Sequence, residues 1–566
     1  MIERFIFMNK FFIALLLVTS FLFIPNAKAQ LLQEQDEFSK ADSLRGSITA
    51  ERAWWDVTFY DLSVNIFPED STISGYNHIT YRVTDSPKDM QIDLQPPLEV
   101  DQIRQDGNNL DFTREGNAFF VDMPGELKRD SLYTISIYYQ GKPKVAENAP
   151  WDGGFVWATD SLGNPWIATA NQGLGASVWW PTKDHQSDEP DSMDISITVP
   201  KPLVNVSNGR LKSKTVHENS TTYTWHVSNP INNYNVAVNA GNYVNFTETY
   251  EGEYGTLDLS YWVLEQYLQK AQEQFKQVKP MMKCFEEWFG PYPFYEDSFK
   301  LVHTPHLGME HQSAVAYGNA FRNGYRGTDL SGSGWGLKWD FIIIHEAAHE
   351  WWGNNITTND IADMWVHEGF TSYAENIYVE CRFGKEAGAE YARGLRDRIK
   401  NEQPVTGTYG LNDEGSGDMY YKGNNMLHTL RQIVDNDSTW KNILRGLQET
   451  FRYETVNASE VERYIIAQSG KDLDDVFDQY LHYAEIPVFQ YYFKNDRLYY
   501  KWKADVTHFD MPMKVGNGDG RFIFIYPTST RWKSSDLDLD DSSDFQVDPN
   551  FYIQTERLGV SNEQDS

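Results

Sequence analysis

His345, Glu346 and His349 stand in the spacing H-E-x-x-H, and Glu368 follows nineteen residues after His349. Positions i and i+4 of a helix share one face, so the two imidazoles can reach one metal ion together. Two imidazoles and one carboxylate are the ligand set of a catalytic zinc that keeps its fourth position for water. Glu346 lies beside that face, where a carboxylate can serve as general base toward such a water. The spacing predicts one zinc ion per chain, held by His345, His349 and Glu368, and a hydrolytic chemistry.

The elements that must position these groups are a helix over residues 337–354 and a second over 364–382. Phe341, Ile342, Ile343 and Ile344 lie directly upstream of the first histidine. A helix that is apolar on most sides is buried, and buried histidines need partners. The wider chain sets the context. Residues 51–246 read as strands, with period-two alternation over 133–138, 194–199 and 235–239. A long amphipathic helix is expected over 262–289, broken at Pro280, and the pattern stays mostly helical to about residue 484. Strand patterns return over 486–553. The expected architecture is multidomain α+β: an N-terminal antiparallel β domain (30–247), a mainly helical catalytic domain (248–485), a small sandwich-like β domain (486–553) and a polar tail (554–566).

Composition narrows the partners. The 566 residues carry a formal net charge of −32, and aromatics make up 15%. Such a charge disfavours nucleic acid and anionic membrane surfaces, while the aromatic content indicates packed cores. Residues 1–29 read as a signal peptide: Arg4 and Lys10, an apolar run over 11–24, then Asn26-Ala27-Lys28-Ala29. That run is short of the ~20 residues needed to span a bilayer. Cleavage before Gln30 would leave an exported chain without a membrane span, in the periplasm or outside the cell. Cys284 and Cys381 are compatible with a disulfide in such a compartment and equally with two buried thiols.

Together, His345-Glu346-x-x-His349, Trp352-Gly353-Asn354, Thr357 and the run from Trp365 to Phe370 resemble the M1 family of zinc aminopeptidases, with a thermolysin-like catalytic domain. Gly290-Pro291-Tyr292-Pro293 is similar to that family's Y-P turn, Gly308-Met309-Glu310-His311 to its G-x-M-E-N element, and Tyr420-Tyr421-Lys422-Gly423 to its Y-x-K-G element. His311 stands where the family usually has asparagine. The resemblance implies an aminopeptidase acting on peptides with a free N-terminus. Glu310 would pair with the substrate ammonium, as charge complementarity also asks of an exopeptidase. Gln172, nine residues before Pro181, would touch the same amine. Gly308 and Met309 would pair their backbone with the peptide as an added strand. Tyr420, rather than Tyr421, would donate to the oxyanion. An endopeptidase with the same metal core and a non-catalytic binding scaffold are the competing readings. Asp363 is a further candidate, either orienting a ligand imidazole or capping a helix. His303, His306, His367 and His428 are expected as packing or surface residues.

Overall fold

Alternation of apolar and polar residues builds the first half of the chain into sheet. The computed structural model describes residues 38–559 except 496, 519 and 537–543; the leader, its cleavage site and the last seven residues lie outside the described residues. Trp55–Phe67 buries every second side chain, with a change of phase at the bulge between Val57 and Phe59. It lies inside an eight-stranded sheet, between Thr72–Val83 and Ser192–Pro200. The pairing with Ser192–Pro200 is parallel, so the domain expected to be antiparallel is in fact mixed. A second sheet contains Pro165–Ala170 at its interior and delivers Gln172 just beyond that strand's end.

The expected strand over 235–239 does not form. Asn233–Asn235 is a 3-10 turn, and only Asn239–Gly241 pairs as strand. Side chains replace the missing ladder: Ala237 N–H donates to Asn208 Oδ1 and Val238 N–H to Thr169 Oγ1.

A third sheet runs Tyr243–Gly252, Gly255–Leu264, Phe299–His303, Val315–Tyr317 and Gly308–Met309, which places Gly308–Met309 at its edge. The boundary expected at residue 247 falls inside the first of these strands, so the junction lies earlier. The helix expected from residue 262 also starts later, because the strand runs to Leu264. After a short first helix, α1 (Lys40–Gly46), come α2 (Leu268–Gln274) and α3 (Val278–Phe289), with a 3-10 turn at Phe275–Gln277 between them. Pro280 sits in the first turn of α3, where its missing N–H costs no hydrogen bond, so it is not the break.

The candidate metal-binding motifs occupy α4 (Phe341–Ala348) and α5 (Trp365–Phe383). Helix α4 is shorter than the expected 337–354: Asp340 caps its start by accepting from Ile342 N–H, and His349 is its C-cap. Beyond α6 (Lys385–Gly394), α7 (Asp418–Val434) crosses α5 at two glycines. A Cβ on Gly423 would come within 3.0 Å of Gly369 Cα. That approach brings the turn holding Tyr420 against the turn holding Glu368. Lys422 then reaches past the crossing to the carbonyls of Tyr483 and Ala484, at 2.9 and 2.7 Å. Cys284 of α3 and Cys381 of α5 are joined as a disulfide, with Cα atoms 6.1 Å apart.

The C-terminal region is again sheet. Val488–Lys494 pairs with Arg497–Lys503 on one side and Gln554–Arg557 on the other, so the expected polar tail begins with a paired strand. The whole is mixed α+β: an N-terminal β domain, a helical centre and a C-terminal β region. Among the described residues no helix is long and apolar enough to cross a membrane.

Gly423→Val should push α7 from α5 and cost ~1–3 kcal/mol, as overpacking does in a filled interior. Chemical denaturation checks this, and an unchanged midpoint would contradict the close crossing.

Candidate metal centre

The two histidines leave α4 on one face and meet Glu368 from the first turn of α5. Nε2 of His345 and of His349 lie 3.6 and 3.4 Å from Glu368 Oε2. All three side chains are buried. Their other atoms are committed elsewhere. His345 Nδ1 is 2.7 Å from Glu375 Oε1, and His349 Nδ1 is 2.9 Å from the Trp352 carbonyl. A carboxylate and a carbonyl can only accept, so each Nδ1 carries the proton and each neutral ring turns a lone pair toward Glu368. Glu368 Oε2 itself receives no hydrogen bond. Three acceptors around one point, with no donor among them, fit a cation. Two nitrogens and one oxygen fit zinc better than the all-oxygen ions magnesium and calcium. The field of the surrounding carboxylates likewise favours positive charge at this point, carried by the imidazoles themselves when nothing else supplies it. Burial disfavours charge on either ring, yet Glu368 and Glu375 hold His345 well above its ordinary pKa, and Glu368 and Glu310 raise that of His349. Burial would raise the Glu368 carboxyl, but the two imidazoles draw it below the usual carboxylate range.

Gly308 makes room for Glu346. A Cβ there would meet Ile342 Cγ2 at 2.8 Å and Glu346 Oε1 at 2.9 Å, so the edge strand Gly308–Met309 can lie directly on α4. Burial, with Glu310 and Glu368 adding to it and the histidines opposing, pushes the Glu346 carboxyl up to about 7. Glu310 follows that strand. Its Oε1 accepts from Tyr234 O–H at 3.2 Å. Ligand atoms of Glu310, Glu346 and His349 all lie within 4.8 Å of one another. The Tyr420 ring stacks beside His345, centroids 6.3 Å apart. Burial, then Glu368 and Glu414, keep its phenol protonated. Tyr421 instead lies in the field of Glu375.

The segment after His349 supports the centre residue by residue. Trp352 gives its carbonyl to His349. Gly353, at φ +116°, would place a Cβ 3.3 Å from His349 Nδ1. Asn354 Nδ2 donates to the Glu310 carbonyl at 2.9 Å, and Thr357 Oγ1 to the Gly353 carbonyl at 2.8 Å. Glu350 ties the end of α4 to its surroundings, accepting from Ser313 N–H at 2.8 Å and Tyr292 O–H at 3.0 Å.

Some expected placements differ. Gln172 reaches the site, but its amide donates to Glu368 Oε1 at 2.7 Å, so it steadies the ligand carboxylate. Asp363 orients no imidazole and caps no start of α5. It accepts from Tyr409 O–H and Ala458 N–H, facing away from the centre. His367 accepts from Thr358 N–H, His428 lies against Asn550, and the His303 ring packs among Trp166, Tyr267 and Phe321. The residue that orients His345 is Glu375, held in turn by Tyr391 O–H at 2.7 Å. Glu375 lies seven residues, two helical turns, beyond Glu368, a spacing that could have revealed it. Tyr234 carries no comparable signal.

A cleft adjoins the site, lined among others by Gln172, Gly173, Tyr234, Glu414 and Arg45.

Comparison with known proteins agrees with this geometry. Residues 57–234 match the peptidase M1 N-terminal domain and residues 273–480 the peptidase family M1 domain. Aminopeptidase N of Lactococcus lactis subsp. lactis is 26% identical over 218 residues, 34% of this chain and 25% of the relative. Leukotriene A-4 hydrolase of Xenopus laevis is 22% identical over 302 residues, 50% of this chain and 46% of the relative. The chain thus spans about a quarter to a half of the length of these relatives. Among solved structures, an M1 zinc metallopeptidase from Deinococcus radiodurans aligns with a TM-score of 0.63 at 20% identity, covering 76% of this chain and 94% of that one. A mutant of it bound to a Tyr-Ser-Ala substrate aligns with a TM-score of 0.64 at 19% identity, covering 76% and 95%.

Removing the partner that orients a ligand ring loosens a metal site without touching a ligand. Glu375→Ala should weaken zinc affinity about 10–100-fold, measured by competition against a chelator. Unaltered affinity would show that His345 needs no such support.

Proposed function

The chain belongs to peptidase family M1, and from that premise we propose that it is a zinc-dependent aminopeptidase that releases N-terminal residues from peptides. Glu310 carries this reading. It is a carboxylate only 2% exposed, its Oε1 bonded to a neutral phenol, and it stands within 4.8 Å of Glu346 and His349. A buried carboxylate so placed calls for a cation, and the free ammonium of a peptide is the cation an exopeptidase must recognise. The names of its relatives, an aminopeptidase and a metallopeptidase bound to a tripeptide, support the same substrate class.

In this reading Glu310 pairs with the ammonium, while the edge strand Gly308–Met309 takes the peptide backbone as a further strand. The first peptide carbonyl then lies over the centre formed by His345, His349 and Glu368. Zinc bound there would polarise that carbonyl and lower the pKa of water toward neutrality. Glu346 takes the proton of the attacking water and returns it to the leaving amine. Tyr420, held protonated, donates to the carbonyl oxygen as it gains charge. Gln172 and Glu375 keep Glu368 and His345 in place meanwhile. Residues 1–29 are the basis for placing the enzyme outside the cytoplasm, in the periplasm or the medium.

Amino-acid anilides and peptides, each with a free or an acetylated N-terminus, test the proposal. Acetylation should nearly abolish cleavage, because stranding one partner of a buried charge pair costs ~3–5 kcal/mol. Glu310→Ala should narrow the gap between free and blocked substrates. Glu346→Gln should keep the metal and lose ~10²–10⁴-fold in turnover. Efficient cleavage of blocked peptides at internal bonds would instead establish an endopeptidase.

A further inference from the structure

The cleft beside the metal centre holds a carboxylate, Glu414, whose one part in the proposed reaction is to add to the field that keeps Tyr420 protonated. Glu414 lies six residues before Tyr420, in the loop that leads into α7. That loop is fixed on several sides. Gly407 N–H donates to the Ala362 carbonyl at 3.0 Å and Gly410 N–H to Asp360 Oδ2 at 2.8 Å. Asp413 closes the turn by accepting from Thr408 N–H and Gly415 N–H, at 2.7 and 3.1 Å. Helix α1 meets it from outside: Asn412 N–H donates to the Asp42 carbonyl at 3.1 Å. A Cβ on Gly46 would fall 2.0 Å from the Leu411 carbonyl carbon, so the two backbones touch.

This frame lays the Glu414 carboxylate over Gly173, next to Gln172. A Cβ on Gly173 would sit 2.4 Å from Glu414 Oε1. Among the described residues no donor reaches either Glu414 oxygen, and the nearest opposite charge, Arg45 of α1, is already engaged. Arg45 Nε lies 3.9 Å from Asp184 Oδ2. His185, also on the cleft wall, is kept neutral, since burial and the neighbouring Arg52 push its pKa down to about 3. The cleft therefore offers a paired cation and a carboxyl that receives no hydrogen bond, whose pKa burial pushes up to about 7. Glu310 does not line this cleft whereas Glu414 does.

We propose that Glu414 is the counter-ion for a cationic side chain on the first residue of the substrate, so that peptides beginning with lysine or arginine are preferred. The proposal rests on the aminopeptidase reading, and it adds the substrate class. Gln172, on the wall of this cleft, also reaches Glu368, so the cleft adjoins the metal centre. An acidic side chain would meet Glu414 with Glu310 and Glu368 nearby, and only an Arg45 already shared with Asp184.

The test compares kcat/KM for lysine and norleucine anilides, and for arginine and citrulline anilides, in the wild type and in Glu414→Gln. Each pair differs in charge at nearly constant shape. The wild type should favour the charged member, and Glu414→Gln should lower that ratio about tenfold or more, between the values for exposed and buried ion pairs. Because the ratio is taken within one protein, a general loss of folding or activity does not imitate the effect. Calorimetric binding of free L-arginine against L-citrulline to the zinc-loaded protein gives a readout without turnover, and should show the same preference and the same loss. If anilides are cleaved with a ratio unmoved by Glu414→Gln, the role of Glu414 is overturned and the aminopeptidase reading stands. If no anilide is cleaved but Glu414→Gln still removes the preference for arginine, the reaction is misassigned and the cation site stands.

Discussion

Two imidazole nitrogens and one carboxylate oxygen face one another within 4.8 Å inside the protein, an arrangement that calls for positive charge at its centre. Bringing polar atoms out of water without partners costs a few kcal/mol each, and clustered lone pairs add mutual repulsion. The fold makes the arrangement unavoidable by tying off the alternatives. Glu375 and the Trp352 carbonyl hold the far nitrogens of the rings, and Gln172 holds the far oxygen of Glu368. These supports come from separate parts of the chain. Gln172 belongs to the N-terminal β domain, while Tyr391 of α6 anchors Glu375. The centre is thus a junction that domain packing must bring into register.

Close backbone approach is the second constraint. Gly308 lets the edge strand lie on Glu346, Gly353 lets the chain turn beneath His349, and Gly369 with Gly423 lets α7 bring Tyr420 over Glu368. Each would meet a neighbour if it carried a side chain. The result is a small volume crowded with buried carboxylates. Burial lifts Glu346 to about 7 and Glu350 to about 8. For Glu350 this is a structural matter, because its oxygens are occupied by Ser313 and Tyr292. For Glu346 it puts the proton affinity near neutrality, which suits the general-base role proposed for it.

Local pattern made much of this legible in the sequence. His345 and His349 are related by helical periodicity, and α5 follows from its own apolar spacing, so the candidate ligand set could be read before any fold was known. Glu310 and Tyr420 came from short motifs whose glycines mark the same close approaches seen in space. What escaped was set by partners distant in sequence. Glu375 is one carboxylate among many until the turn of α5 aims it at His345. The hydrogen bond from Gln172 to Glu368 was not foreseen, because nothing local shows that Glu368 lies within its reach. Residues 235–239 alternate like a strand, yet asparagine and threonine side chains from elsewhere take their backbone donors. The pairing of Cys284 with Cys381 likewise depends on α3 lying against α5.

Crystals of the zinc-loaded protein measured at the zinc absorption edge address the central claim directly. The account predicts a single strong anomalous peak within bonding distance of His345 Nε2, His349 Nε2 and Glu368 Oε2, at about 2.0–2.2 Å, with both Nδ1 atoms still on Glu375 and Trp352. A centre without an anomalous peak, its histidines turned to other partners, would contradict it.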